Sequence, residues 1–508
     1  MKKIIALLLT LVMAFSFVAC GGTTPPAGNG GNNGGNNGGN NGGTTAEKVR
    51  WEVPAEGFDT TQEITITFSH TMGKNLANVL DRYIEKFNEI YPNITIEHSQ
   101  IGGYDEVRDQ TNKQLTAGNQ PNIAYCYPDH VALYNVTKKV IPLDNLIEST
   151  IEVKDEEGNV IDVIGLTAEQ KADFIQTYYN EGAQFDAAGT MYTMPLSKST
   201  EALFYNKTFF EANNLKVPTT WEEMEETCAA IKEILLNDGN PANDKDIPLG
   251  YDSESNWFIT MCEQYGSPYT SNDKNDHFLF NNSKNREFVK WFREWYQKGY
   301  VTTQELYGAY TSKLFTNTNP DNPTCYMCIG STGGASHQIP IGEDGNFPFD
   351  VGIAAIPQVN PEQPKAISQG PSLCIFSQAG DKDNQDNAQE VIASWLFVKY
   401  LCTTPEFQAA FSMTSGYMPV INSAKEIPQY ANWLKNANTN GGLVAAVANL
   451  AFSQAESAFV SPAFNGSTKA RDQVGALIQY CFTQTTDNVE EMIKKAFQDA
   501  INECLAGN

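Results

Sequence analysis

Positive charge is scarce in this chain. Its 508 residues carry 34 Lys and Arg against 60 Asp and Glu, a formal net charge of −26. Nucleic-acid binding draws on basic patches, and broad contact with anionic lipid headgroups draws on the same charge, so both are disfavoured as partners. An acidic balance by itself serves solubility. Histidine is scarcer still: His70, His98, His130, His277 and His337 are the only five. None stands at ligand spacing from a cysteine pair, and the lone C-x-x-C, Cys325 and Cys328, lacks the second pair a zinc site needs. No metal and no cofactor are expected. Several enzyme signatures are missing as well: no G-x-S-x-G elbow, no G-x-x-x-x-G-K-[ST] loop, no G-x-G-x-x-G between a strand and a helix, no H-E-x-x-H. Acidic neighbours such as Glu222/Glu223 and Glu225/Glu226 fall on a solvated helix face rather than flanking a scissile bond. No catalytic residue is assigned, and a non-enzyme is expected.

Long apolar runs are also missing, with one short exception at the start. Lys2 and Lys3 precede an apolar stretch over residues 4–18, then Ala19 and Cys20. At about 15 residues the stretch falls short of the roughly 20 that span a bilayer. A basic start, a short apolar core and a small residue before a cleavage point mark a secretory signal, here residues 1–19. Phe17-Val18-Ala19-Cys20 resembles a bacterial lipobox, which implies that Cys20 is lipid-modified and tethers the protein to the cell membrane. Residues 21–45 are almost entirely Gly, Asn, Thr and Pro. Such a segment has nothing apolar to bury and is expected to stay disordered. The lipidated Cys and linker are assigned to 20–60. Without Cys20, nine cysteines remain, an odd number. A chain able to build a core has no need of a disulfide framework, so buried thiols are expected.

The remainder is long enough for two domains and reads as alternating strands and helices. Ile64-Thr65-Ile66-Thr67-Phe68 has the period of a half-buried strand. Leu76, Val79, Leu80, Tyr83, Ile84, Phe87 and Ile90 then share one helical face, and residues 94–97 give a second strand. Strand–helix–strand is the unit of parallel α/β sheets. A helix over 105–117 and a strand over 123–126 follow. Further strands are predicted at 202–205, 247–251, 326–329 and 351–355. Helices are predicted from the capping box Thr220/Glu223 to about 236, and at 288–297, 391–401, 405–413 and 489–505.

Residues 194–223 carry the most specific pattern. Met194-Pro195-Leu196-Ser197-Lys198-Ser199-Thr200 leads into Tyr205-Asn206-Lys207, and Val217-Pro218-Thr219-Thr220-Trp221-Glu222 follows. With Gln120-Pro121-Asn122-Ile123 upstream and Gly416-Tyr417-Met418-Pro419 downstream, this closely resembles the family 1 extracellular solute-binding proteins of ABC importers, over about residues 62–500. That resemblance implies an α/β fold of two discontinuous lobes joined at a hinge, like the periplasmic binding proteins that close around a ligand. On that pattern lobe 1 is 62–185 plus 353–398 and lobe 2 is 190–350 plus 399–508, with crossings near 193–199, 355–357 and 399. It also implies a monomer that delivers its ligand to ABC permease subunits.

Within the family the chain is most similar to the glycerol-3-phosphate-binding branch. Tyr104 after Gly103, Ser199, Ser331, Gly370 and Tyr417 match ligand-contacting positions of that branch. Its acidic residue after a Tyr falls on Pro128, with Tyr127 before and Asp129 after. Its phosphate-binding Arg has no counterpart: Ala463 occupies that region, and the nearest basic residues are Lys469 and Arg471. A phosphate wants bidentate, charge-assisted donors, so a neutral mono- or oligosaccharide is expected ahead of a glycerol phosphate or its diester. Sugar sites pair flat aromatic faces with polar groups that bond hydroxyls. Tyr104, Tyr127, Asp129, Ser199, Trp257, Ser331, Gly370 and Tyr417 are the candidate ligand residues, with Trp257 as a stacking ring. A surface carbohydrate-active enzyme and a sugar-sensing or adhesion lipoprotein are the alternatives. Turnover of an oligosaccharide separates the first, and neighbouring permease genes the second.

Overall fold

The computed structural model describes residues 47–272, 276–380, 383 and 385–506. The signal segment 1–19 and Cys20 lie outside the described residues. The body has two α/β lobes, each around its own five-stranded sheet.

Alternation builds the first sheet. Strand Ile64–His70 buries Ile64, Ile66 and Phe68 on one face. Helix Lys74–Ile90 buries Val79, Leu80, Tyr83 and Phe87 and returns the chain to Ile94–Gln100, which pairs in parallel, Ile64 opposite Ile94 through His70 opposite Gln100. The sheet order is Ile94–Gln100, Ile64–His70, Ile123–Cys126, Ser372–Ile375, Met194–Pro195. The fourth strand arrives from far down the chain and runs antiparallel to the third. Helix Ala388–Thr403 is apolar almost all round, and such a helix is buried on every side. Val391, Trp395, Phe397 and Leu401 sit in the first core.

The second sheet runs Val351–Ala355, Glu201–Asn206, Cys325–Ser331, Ile247–Tyr251, Val301–Thr303. Helix Trp221–Asn237 starts at a capping box, Thr220 Oγ1 accepting from the Glu223 N–H at 3.1 Å. It joins helices Glu254–Tyr265, Ser283–Gln297, Ser467–Thr483 and Val489–Ala506 over an aromatic core that includes Trp221, Trp257, Phe292, Trp295 and Phe482. The nine described cysteines are buried and free. Among the described residues no helix is long and apolar enough to cross a membrane.

Three expected boundaries shift. Residues 47–60 are not linker: Trp51 and Phe58 are buried in the first core, and Lys48 pairs with Asp144 at 2.6 Å. Strand Val351–Ala355 belongs to the second lobe, because its edge hydrogen bonds go to Glu201–Asn206, Ala355 opposite Ala202. The crossing therefore falls near 368–371 instead of 355–357. Helix Pro405–Ser415 stays with the first lobe, where Phe407 stacks edge-on to Tyr83 at 5.3 Å. The last crossing comes later than 399, through helices Pro428–Lys435 and Leu443–Gln454, and Leu443 and Val447 pack with Ala202 and Phe204 of the second lobe.

The crossing segments are laced together. Ser199 and Gln369 exchange backbone bonds of 2.9 and 2.8 Å, and Lys198 and Met418 exchange bonds of 3.0 and 2.6 Å. Gly370 turns the second crossing with φ of +99°, and a Cβ there would stand 2.6 Å from the Ser197 carbonyl oxygen. Gly370→Ala is expected to cost about 1–3 kcal/mol from the left-handed backbone alone, with the clash adding to it. Urea unfolding measures this, and a loss below about 0.5 kcal/mol, the scale of an ordinary surface change, would contradict the tight crossing.

Candidate ligand cleft

Between the lobes lies a cleft of about 1230 Å³. The first-lobe wall is aromatic. Gly102 and Gly103 turn the chain into helix Tyr104–Ala117, and the Glu106 carboxylate fixes that turn by accepting from the Gly103 N–H at 3.0 Å. Tyr104 is the first residue of the helix, and its ring stacks on Tyr127 with centroids 4.7 Å apart and planes 17° apart. Tyr127 follows strand Ile123–Cys126, and Asp129 stands at the start of the short helix His130–Tyr134. Tyr417 follows Gly416, which caps helix Pro405–Ser415 with φ of +86°. Its hydroxyl lies 3.2 Å from that of Tyr104. Its ring covers Gly333, where a Cβ would be 2.6 Å from Cζ, so only glycine admits this contact. Burial raises the pKa of the Tyr104, Tyr127 and Tyr417 phenols, so they act as neutral stacking and hydrogen-bonding groups.

The second-lobe wall is polar and is made by strand ends. Glu201 opens Glu201–Asn206, Ser331 closes Cys325–Ser331, and the two are register partners. Asp252 follows Ile247–Tyr251 on the other side of Cys325–Ser331. Three adjacent strands thus bring Glu201, Ser331 and Asp252 to one sheet edge. Ser331 Oγ donates to Ser199 Oγ at 3.2 Å and accepts from the Gly333 N–H at 3.1 Å. Glu201 is 1 % exposed, and the Tyr251 hydroxyl donates to it at 2.7 Å. Burial pushes its carboxyl up to about 7. Burial likewise raises Asp252, against the Thr311 hydroxyl and N–H, each donating at 2.7 Å. Arg471 reaches the cleft and donates to Asn256 at 2.5 Å.

Of the eight expected ligand residues, Tyr104, Tyr127, Asp129, Ser199, Ser331, Gly370 and Tyr417 line the cleft. Trp257 does not. It lies inside helix Glu254–Tyr265, is fully buried, and stacks on Tyr251 at 4.9 Å and against Phe292 at 4.0 Å. Ser253 caps that helix, and its inward face turns the indole into the second core. Glu201, Asp252, Tyr310 and Arg471 also line the cleft and were not singled out as ligand residues. Glu201 sits two positions beyond Ser199 and was within reach of the same sequence argument. The lining holds nine Asp and Glu against three Lys and Arg. Among the described residues no cluster of three or more His, Cys, Asp or Glu could hold a metal ion.

Two discontinuous α/β lobes around a polar cleft walled by tyrosines are the architecture of a solute receptor. A profile of bacterial extracellular solute-binding proteins matches residues 82–438, more than half of the chain, and the chain belongs to that family. Among its relatives is the sn-glycerol-3-phosphate-binding periplasmic protein UgpB of Salmonella typhimurium, 23% identical over 371 residues, covering 72% of this chain and 76% of the relative. In fold it is similar to UgpB from Mycobacterium tuberculosis in complex with glycerophosphocholine, at TM-score 0.66 and 16% identity, covering 87% of this chain and 98% of that one. It is similar also to maltose-bound MalE3 of T. maritima, at TM-score 0.63 and 16% identity, covering 86% and 99%.

Two outcomes test this geometry. The native Glu201 carboxyl keeps its proton to about 7, whereas its ordinary value is 4.5. Between those values the native state binds more protons than the unfolded one, so this group makes stability fall as pH rises through the window. Glu201→Gln is expected to flatten that fall in melting temperatures taken from pH 4.5 to 7.5, and an unchanged slope would contradict the buried, protonated carboxyl. Trp257→Ala is expected to cost about 3–5 kcal/mol, the range for a large aromatic removed from a core. Denaturant unfolding checks it, and a loss near zero would return Trp257 to the cleft.

Proposed function

We propose that this protein is the capture component of an ABC importer, and that it holds a carbohydrate bearing no negative charge in the cleft and hands it to membrane permease subunits. The observation that carries the ligand class is the composition of the walls. Tyr104, Tyr127, Tyr310 and Tyr417 supply rings that can cover the apolar face of a sugar. Ser199, Ser331, Asn256 and the carboxylates supply partners for hydroxyls. The same excess of carboxylate over Lys and Arg repels an anion. The saccharide-bound MalE3 shares this fold, which supports the reading without identifying the sugar. Tyr104, Tyr127, Asp129, Ser199, Ser331, Gly370 and Tyr417 are the proposed ligand contacts. The protein performs no chemistry on its ligand and acts as a monomer. Cys20, as the lipidated residue, keeps it at the outer face of the cell membrane.

A glycerophosphodiester is the second reading. Arg471 favours it, as the guanidinium on the cleft, and so do the two UgpB relatives. A single Arg already bonded to Asn256 is a poor match for a phosphate's need of several charge-assisted donors, so the carbohydrate is preferred.

A thermal-shift panel of maltose, maltotriose, glycerol 3-phosphate and glycerophosphocholine separates the two. A ligand at 100 times its Kd adds about 2.7 kcal/mol. Shifts with saccharides and none with the phosphates are expected; shifts confined to the phosphates would contradict the carbohydrate reading. Tyr417→Ala is expected to lower affinity for the active saccharide at least about ten-fold, on the scale of a lost aromatic contact. Unchanged affinity by calorimetry would remove Tyr417 from the binding surface.

A further inference from the structure

Beneath the tyrosine wall, two histidines and a carboxylate form a chain of hydrogen bonds. His70 ends strand Ile64–His70 and is 1 % exposed. Its Nδ1 accepts from the Met72 N–H at 3.0 Å. Its Nε2 stands 2.9 Å from Nδ1 of His98 on the neighbouring strand Ile94–Gln100. His98 Nε2 in turn stands 2.8 Å from Oδ1 of Asp81 on helix Lys74–Ile90. A backbone N–H only donates, so His70 Nδ1 is bare and the ring carries its proton on Nε2. That proton is donated to His98 Nδ1, and His98 donates its own, on Nε2, to Asp81. The three bonds thus fix one arrangement of protons, with both rings neutral.

This chain adjoins Tyr104 in two ways. The His70 carbonyl accepts from the Ile101 N–H at 2.8 Å, which ties down the segment entering the Gly102–Gly103 turn. The His70 ring packs on Tyr125 of strand Ile123–Cys126, with centroids 6.0 Å apart, and Tyr125 lies nearly parallel to Tyr104 at 6.3 Å. On its own strand the ring meets Phe68 at 5.1 Å. One further proton does not fit the chain. A His98 protonated on both nitrogens turns an N–H toward His70. His70 then keeps its Nε2 proton, and two donors meet there, or moves it to Nδ1, where it meets the Met72 N–H. One joint or the other breaks. Burial, then the neighbouring His98, lowers His70 to about 4, against the pull of the Asp81 carboxylate. His98, with its side chain 19 % exposed beside Asp81, is the member that solvent reaches.

We propose that His70 and His98 are positioning residues for Tyr104, and that one proton added to the His70–His98–Asp81 chain frees the Tyr104 turn and weakens ligand binding in acid. Proton and ligand then oppose each other through the first-lobe wall, each lowering affinity for the other. This rests on Tyr104 as a ligand contact and holds whatever the class of ligand.

Two measurements on the full chain, each at pH 7.5 and pH 5.0, test it. Hydrogen exchange over residues 101–107 without ligand, expressed as protection factors, reads the turn. Calorimetry with the tightest ligand of the thermal-shift panel reads affinity. Both protection and affinity are expected to fall at least about ten-fold in acid, within the usual range of coupling between two sites. His98→Asn, whose side-chain carbonyl can accept from His70 and takes up no proton, is expected to abolish most of both falls. Asp81→Asn keeps an acceptor for His98 but removes the charge that draws a proton onto it, so the midpoint of both falls is expected to move to lower pH. Glu201→Gln removes the other titrating group of the cleft and is expected to leave the loss of protection in place. Constant protection and affinity in the unaltered protein overturn the proposal, as do falls that persist in His98→Asn or a midpoint that Asp81→Asn leaves unmoved. Lost protection with unchanged affinity overturns the chain as a support of binding. If no member of the panel binds, both ligand readings above fall, and exchange alone decides whether the proton frees the turn.

Discussion

A buried ion pair at the crossing of the lobes holds the two walls in their relation. Lys198 is 1 % and Glu181 2 % exposed, and Lys198 Nζ stands 2.5 Å from Glu181 Oε2. Lys198 also donates to Ser372 Oγ at 3.3 Å, and the Ser368 hydroxyl donates to Glu181 Oε1 at 2.5 Å. These four residues come from a first-lobe turn, the first crossing, the second crossing and the strand after it. The backbone of Lys198 is paired with Met418, and that of its neighbour Ser199 with Gln369. Breaking one member of a buried pair leaves a charge without a partner, a loss of about 3–5 kcal/mol. A one-residue slip of the first crossing, which carries Lys198, would do the same. The network thus fixes register where the chain passes between lobes, and the lobes can still turn about it.

What register fixes, the cleft uses. Ser199 sits one residue beyond Lys198, and Gly370 lies between Ser368 and Ser372, so cleft-lining groups are part of the crossing itself. Tyr417 is next to Met418, and its position over Gly333 joins first-lobe helix to second-lobe turn. Arg108 and Asp472 reach across the outer mouth at 3.9 Å with Asp472 half exposed, and such a pair contributes little. A ligand can set closure of such a cleft through contacts that form only when both walls meet.

Local pattern was legible in the sequence, and long-range pairing was not. The alternation at residues 64–68 and the stripe from Leu76 to Ile90 describe surfaces that must be covered, and the strand and helix follow. Val351–Ala355 is a short apolar strand whose sequence is silent on its neighbour, so its place beside Glu201–Asn206 had to come from the fold. Trp51 and Phe58 follow a Gly/Asn-rich tract and carry no periodicity, yet the first core takes both. Trp257 shows the opposite error, an aromatic read as a sugar platform where a helix face buries it. Glu201 and Asp252 are far apart in sequence and reach the same cleft only because the strand Cys325–Ser331 pairs with both of theirs. The tyrosines and Ser199 lie in motifs, and so could be found without the topology.

The account stands on a cleft that closes over a saccharide about the Lys198–Glu181 crossing. Small-angle X-ray scattering of the protein, free and then saturated with the saccharide selected by the thermal-shift panel, tests that most directly. The account predicts a smaller radius of gyration and a shorter maximum dimension with ligand bound. Identical scattering profiles at saturation, with binding verified in the same sample, would contradict it.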